Sequence, residues 1–316
     1  MSGSGYSGTD KIGRVADMRA RTFFGVGFVV AALAAGIGLF VTRPMPLDVS
    51  ALDGIIADAE RGQAVFAAAG CASCHTAKGS EPSAQPILAG GREFPSPFGT
   101  FVAPNISPDP THGIGTWSDI ELASAITRGV SPVGAHYFPA FPYASYNKAE
   151  LQDIADLIAF LRTLPPDATP DQPHKVGFPF NIRASLGGWK MLFVSEEWAL
   201  SGEVSPQVAR GRYLVEALGH CTECHTSRNI LGGLNRDAWL AGAPHPSGKG
   251  RIPNITPGAL SWSEEEIAQY LASGLTPEFD VAGGEMFEVV QNTSQLSNDD
   301  RLAIAAYLKA IPAIEN

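Results

Sequence analysis

The chain has 316 residues, 45% of them hydrophobic and 17% charged, which is enough apolar material for more than one core. A formal net charge of -10 leaves no basic patch for phosphate contacts, so nucleic acid is excluded as a partner, while docking to basic protein surfaces stays open. The 24 Pro and 34 Gly predict much irregular, loop-held structure between short elements.

Residues 1–21 read as a polar tail carrying Lys11, Arg14, Arg19 and Arg21. From Thr22 to Thr42 the run TFFGVGFVVAALAAGIGLFVT has no charge, and as a helix it is long enough to cross a hydrocarbon core. Four basic residues before the run, against Arg43 just after it, predict a cytoplasmic tail and an outward-facing remainder. The competing reading is a cleaved signal peptide. Its apolar region would be shorter and followed by a small-x-small site, whereas Leu39, Phe40 and Val41 continue past Ala32-Leu33-Ala34. The expectation is a retained single-pass anchor over residues 22–42 in the inner membrane, with the rest of the chain in the periplasm.

Beyond the run, Cys71-Ala72-Ser73-Cys74-His75 and Cys221-Thr222-Glu223-Cys224-His225 both read C-x-x-C-H, the attachment signature of c-type haem. Two thiols three positions apart can both reach the vinyl groups on one edge of a porphyrin. The His that follows turns under the ring as proximal iron ligand. A redox dithiol or half of a zinc site is the bland alternative. All 4 Cys fall in these two motifs and a His follows both pairs, which neither alternative requires. The expected cofactors are therefore two haem c, attached through Cys71, Cys74, Cys221 and Cys224 and ligated by His75 and His225.

Residues 60–165 and 209–312 repeat one pattern. Arg61-Gly62 and Arg210-Gly211 open apolar helical stretches that lead into the motifs. Pro104-Asn105-Ile106-Ser107 matches Pro253-Asn254-Ile255-Thr256. Trp117-Ser118 and Trp262-Ser263 precede helix-like runs with acids in the first turn and Gly129 or Gly274 as the stop. Each unit closes on an amphipathic helix carrying Phe160 or Tyr307, and a glycine facing an aromatic predicts a close crossing of first and last helices. The predicted organisation is two small helical domains, residues 43–168 and 206–316, joined by a linker over 169–205. The linker's stretch VGFPFNIRASLGGWKMLFV is aromatic enough to pack on the domains rather than drape loosely.

The sixth iron ligand sets the potential, and only 5 Met are present. Met286 lies 65 residues after Cys221 in GGEMFEV and is the expected ligand of the second haem, with His245 as fallback. No Met lies between Met45 and Met191, and the position matching Met286 is Phe141, which cannot bind iron. His136, itself 65 residues after Cys71, is the expected ligand of the first haem; Met191, His112 and His174 remain alternatives.

FVAPNISPD, GIGTWSDIELASAITRGV, YFPAFPYASY and FPFNIRASLGGWK carry a resemblance to the membrane-anchored multihaem cytochrome c subunits of periplasmic dehydrogenases, such as that of bacterial alcohol dehydrogenase. It covers roughly residues 58–316. The chain departs from that family in having two motifs where the alcohol dehydrogenase subunits resemble a three-haem arrangement, and in Phe141 where their P-A-M-P-Y segment has Met. The resemblance implies an all-α fold of two tandem class I-like cytochrome c domains behind a single N-terminal transmembrane helix. It also implies electron transfer between a dehydrogenase or quinol-oxidising complex and a cytochrome or terminal oxidase, without substrate chemistry. A dihaem peroxidase would share the two motifs but needs an opened iron site beside an acid-base residue. A thiosulfate-oxidising enzyme with a Cys ligand finds no spare Cys.

Overall fold

The computed structural model describes residues 26–77, 83, 85–246 and 250–315, and it divides into two compact units, residues 1–43 and 44–316. In the first, the described part is a helix over residues 26–41 (α1). The side chains of Thr42 and Arg43 close it by donating to the carbonyls of Gly38 and Phe40, both at 2.8 Å. Among the described residues no helix is long and apolar enough to cross a membrane. This overturns the anchor expected over 22–42, and with it the inner-membrane, periplasm-facing placement and the membrane partnership that rested on it. The expected tail, residues 1–21, and the first four residues of that span lie outside the described residues.

The second unit is predominantly helical but not all-α, because short antiparallel hairpins interrupt it. Its first half runs α2 (Ala59–Ala68), α3 (Cys71–His75), the hairpin β1 (Glu93–Ser96) and β2 (Gly99–Val102), α4 (Asp119–Arg128), α5 (Tyr143–Tyr146) and α6 (Leu151–Leu161). After α7 (Ser185–Phe193) the second half repeats the order. It comprises α8 (Pro206–Tyr213), a π-turn (Leu214–Leu218), α9 (Thr222–His225), a 3-10 turn (Arg236–Ala238), β3 (Ala243–Pro244), β4 (Arg251–Ile252), α10 (Glu264–Ser273), α11 (Glu285–Thr293) and α12 (Asn298–Ala310). Glu93 faces Val102 across the first hairpin, and Ala243 faces Ile252 across the second.

Local chemistry explains where the helices begin and end. Ser118 and Glu121 form a capping box at the start of α4, and Ser263 and Glu266 form one at α10. Each helix stops at a left-handed glycine, Gly129 at φ 59° and Gly274 at φ 74°. Nine positions separate Gly62 from Cys71, but ten separate Gly211 from Cys221. The π-turn at Leu214–Leu218 absorbs that extra residue, so the second motif meets its surroundings in the same register as the first.

In both halves the first and last helices cross in contact. A Cβ added at Gly62 would lie 1.9 Å from the Asp156 carbonyl oxygen and 2.9 Å from Phe160 Cβ. At Gly211 it would lie 1.8 Å from the Ala303 carbonyl oxygen and 2.8 Å from Tyr307 Cβ. Backbone on the partner helix cannot swing away as a side chain can. Gly211→Ala is therefore expected to destabilise by about 3 kcal/mol, outweighing the 0.5–1 kcal/mol or so that alanine gains in a helix. Gly188→Ala, in α7 with nothing within 4 Å, is the control and should raise stability slightly. Equal urea midpoints for the two variants would contradict this account of the crossing.

The apolar residues of both halves join one contiguous core, in which Phe66, Ile154 and Ile158 of the first meet a network including Leu214, Val215, Ile304 and Leu308 of the second. The connecting segment also packs. Trp189 Nε1–H donates to the Leu231 carbonyl (2.9 Å), Lys190 Nζ donates to the carbonyls of Arg128 (2.6 Å) and Gly129 (2.8 Å), and Phe193 lies against Gly233. Helix α7 thus touches both halves.

Candidate haem-binding sites

Each motif turn carries its donors on one short helix. Cys71, Cys74 and His75 lie on α3, while Cys221 caps α9, which carries Cys224 and His225. The four cysteines are free thiols here and stand in for the thioether sulfurs of the haem-bound form. Burial pushes the thiols of Cys71 and Cys221 up to about 12 and that of Cys224 to about 11, and it also raises Cys74. As thiols they are poor nucleophiles or ligands for a bare ion, and as thioethers they carry no charge to desolvate.

The two histidines are held identically. His75 Nδ1–H donates to the Pro104 carbonyl at 2.8 Å, and His225 Nδ1–H donates to the Pro253 carbonyl at 2.8 Å. A carbonyl only accepts, so Nδ1 carries the proton and Nε2 is left as the metal-binding nitrogen. Burial lowers the pKa of both rings, which favours the neutral imidazole a metal needs. The carbonyls are fixed in turn. Asn105 Nδ2 donates to the carbonyls of Asp167 and Thr169, and Asn254 Nδ2 donates to that of Ile314, tying each Pro-Asn turn to the chain after the closing helix. Gly90 and Gly242 donate from their backbone N–H to the carbonyls of His75 and His225, both at 2.7 Å. The backbone of Gly90 approaches Pro104 so closely that a Cβ there would lie 2.5 Å from it, at φ +72°. Two thiols, one neutral imidazole and a clamp on its far nitrogen fit covalent haem in both halves.

The two motif turns are neighbours. His220, just before the second motif, approaches the Ala69 carbonyl just before the first at 3.2 Å. Asn292 of α11 donates to Ser73 Oγ at 2.6 Å, and Arg92 joins the Ser73 carbonyl to Glu288 of α11, both at 2.5 Å. The packing is reciprocal: α5 of the first half lies on the π-turn of the second, while α11 of the second lies on α2 and α3 of the first.

The expected sixth ligands lie in corresponding regions of the two halves but not at corresponding positions. His136 is buried and pairs through its backbone with Val130; Val281 pairs with Leu275 in the same way. The His136 carbonyl accepts from Arg183 at 2.9 Å. Met286 is partly buried in the first turn of α11. Of the alternatives, Met191 is 63% exposed, and the Nδ1 of His174 accepts from the Val102 N–H at 3.1 Å between the rings of Phe101 and Phe138. His112 lies in a loop closed by Asp109.

A cytochrome c family model matches residues 59–165. A dihaem c-type cytochrome of Cereibacter sphaeroides is 54% identical over 289 residues, covering 92% of this chain and 98% of that one. The chain belongs to the dihaem cytochromes c. It binds haem c with iron and acts in electron transfer. The fructose dehydrogenase cytochrome subunit of Gluconobacter japonicus is 39% identical over 80% of this chain. The cytochrome c subunit of the quinone-dependent alcohol dehydrogenase of Gluconobacter oxydans is 35% identical over 81%. The chain spans only 52% of the first of these two subunits and 55% of the second.

Sequence reasoning missed an ion pair behind the second haem site. Glu216, in the π-turn, is 1% exposed; Lys148 Nζ meets its Oε2 at 3.0 Å. Tyr307 O–H donates to the same carboxylate at 2.6 Å, and the Ala199 N–H donates at 3.0 Å. Burial lowers the Lys148 pKa against the pull of Glu216. The available signal was a charged residue inside the apolar run Leu214-Val215-Glu216-Ala217-Leu218, one residue longer than its counterpart.

Proposed function

We propose that the chain is a two-haem relay that takes electrons from a dehydrogenase and passes them to another cytochrome, a quinone or a terminal oxidase. Cys71 and Cys74 with His75 hold the first haem, and Cys221 and Cys224 with His225 hold the second; His136 and Met286 supply the sixth ligands. Residues 43–168 and 206–316 are the two cytochrome units and 169–205 the connector, a reading supported by the repeated order of elements and the duplicated Pro-carbonyl clamp.

The observation that carries the relay is the adjacency of the two motif turns, joined across Ala69 and His220. Electron tunnelling falls steeply with distance, so neighbouring attachment sites favour passage between haems. Haem c supplies a one-electron iron couple when bound. The residues around it fix the two sites in position and keep the proximal imidazoles neutral. Relatives that match over 80–81% of this chain are named for nicotinate, fructose, alcohol and gluconate dehydrogenases. Four substrates on one shared module argue that substrate choice lies in another polypeptide or region, and that this chain contributes the wire.

The test is anaerobic stopped-flow mixing of the haem-loaded protein with a flavin semiquinone donor, then with a soluble oxidised cytochrome c. Both haems should reduce and then reoxidise, and the half-reduced protein should not consume hydrogen peroxide. Rapid peroxide turnover would replace the relay with a dihaem peroxidase.

A further inference from the structure

Gly70 and His220 occupy the same place in the two halves, one residue before the first motif cysteine. Both adopt left-handed backbone, Gly70 at φ 63° and His220 at φ 39°. Glycine takes that conformation freely, whereas a histidine there is strained. A strained side chain persists where its surroundings hold it. Here the imidazole crosses to the other half: Nε2–H donates to the Ala69 carbonyl at 3.2 Å, and the ring meets Tyr146 edge-on at 5.7 Å. Tyr146 O–H donates to the same carbonyl at 3.0 Å, so one buried oxygen two residues before Cys71 gathers two donors. A carbonyl can only accept, which assigns the proton to Nε2 of His220.

We propose that His220 is a positioning residue that locks the two haem-attachment turns together and so sets the rate of electron passage between them. The route it makes is short. From Cys71 it runs along the backbone through Gly70 to the Ala69 carbonyl, crosses one hydrogen bond to the His220 ring, and reaches Cys221 along the backbone. The proposal rests on the relay reading above.

The experiment uses the full chain with both haems attached. After flash photoreduction of one haem, the wild type should show the electron relaxing to the other, read at wavelengths that separate the two. His220→Gly restores the residue that the first half carries here, relieving the backbone while deleting the imidazole. His220→Asn tolerates the same φ but is too short to reach Ala69. Both variants should keep the wild-type ligand spectra and the wild-type unfolding midpoint or better. Their inter-haem relaxation should slow several-fold, since electron tunnelling falls steeply with distance and the hydrogen bond that ties the two turns together is gone. Unchanged relaxation in a variant that keeps both haems overturns the role of His220 alone. A wild type in which no electron passes between the haems overturns the relay reading, and this proposal with it.

Discussion

Replacing Lys148 by methionine is expected to cost about 3–5 kcal/mol of stability, the usual penalty for leaving one member of a buried ion pair uncompensated. Glu216 is the residue left behind. Its side chain is fully enclosed, and the Tyr307 hydroxyl and Ala199 N–H can solvate its charge only in part. Methionine fills much the same volume as the lysine stem between Trp198 and Trp239, so lost packing is a minor contributor. The double variant Lys148→Met/Glu216→Gln separates the causes. Its amide oxygen still accepts from Tyr307 and Ala199 but carries no charge, so most of the loss should return. Urea unfolding of the three haem-loaded proteins measures this. A double variant as unstable as the single one would mean that Lys148 acts through packing rather than through charge. The pair matters for function because Lys148 belongs to the first half and Glu216 leads into the second motif.

The parts of the molecule that rest on local chemistry were legible in the sequence. The Trp-Ser-acid pattern at Ser118 and Ser263 and the stops at Gly129 and Gly274 need only neighbours within one turn. The facing of Gly62 on Phe160 and of Gly211 on Tyr307 was readable because the repeat supplied the pairing twice. The Pro-Asn turns were visible as a repeat, yet their work as clamps on His75 and His225 was not, since 29 and 28 residues separate donor from acceptor. Lys148 and Glu216 are 68 residues apart, and nothing in either local segment names the other. The expected anchor failed for a different reason. An uncharged run measures composition, whereas spanning needs a single helix both long and apolar enough, and no helix among the described residues is. The hairpins escaped notice because strands of two to four residues are too short for an alternating pattern to register.

His136→Ala is expected to remove the sixth ligand of the first haem and turn that haem from low-spin to high-spin, leaving the second haem as it was. Phe141 stands where the second half has Met286, and its ring is taken up by edge contacts with Tyr137, Tyr143 and Tyr146. Met191 is turned to solvent, and His174 is engaged at Nδ1 by the Val102 N–H. His136 is buried, its backbone is fixed by Val130 and Arg183, and it lies five residues before Phe141 in the same stretch. Two imidazoles donate more strongly to ferric iron than an imidazole and a thioether, so the first haem should have the lower potential and electrons should run from the first half to the second. Met286→His should lower only the upper of the two potentials, narrowing the gap without touching the lower one. Electron paramagnetic resonance of the His136→Ala protein and a redox titration of the Met286→His protein check the two ligand assignments separately. A first haem that stays low-spin without His136 would exclude it as ligand, and a lower potential that moves with Met286 would reverse the assignment of the two sites.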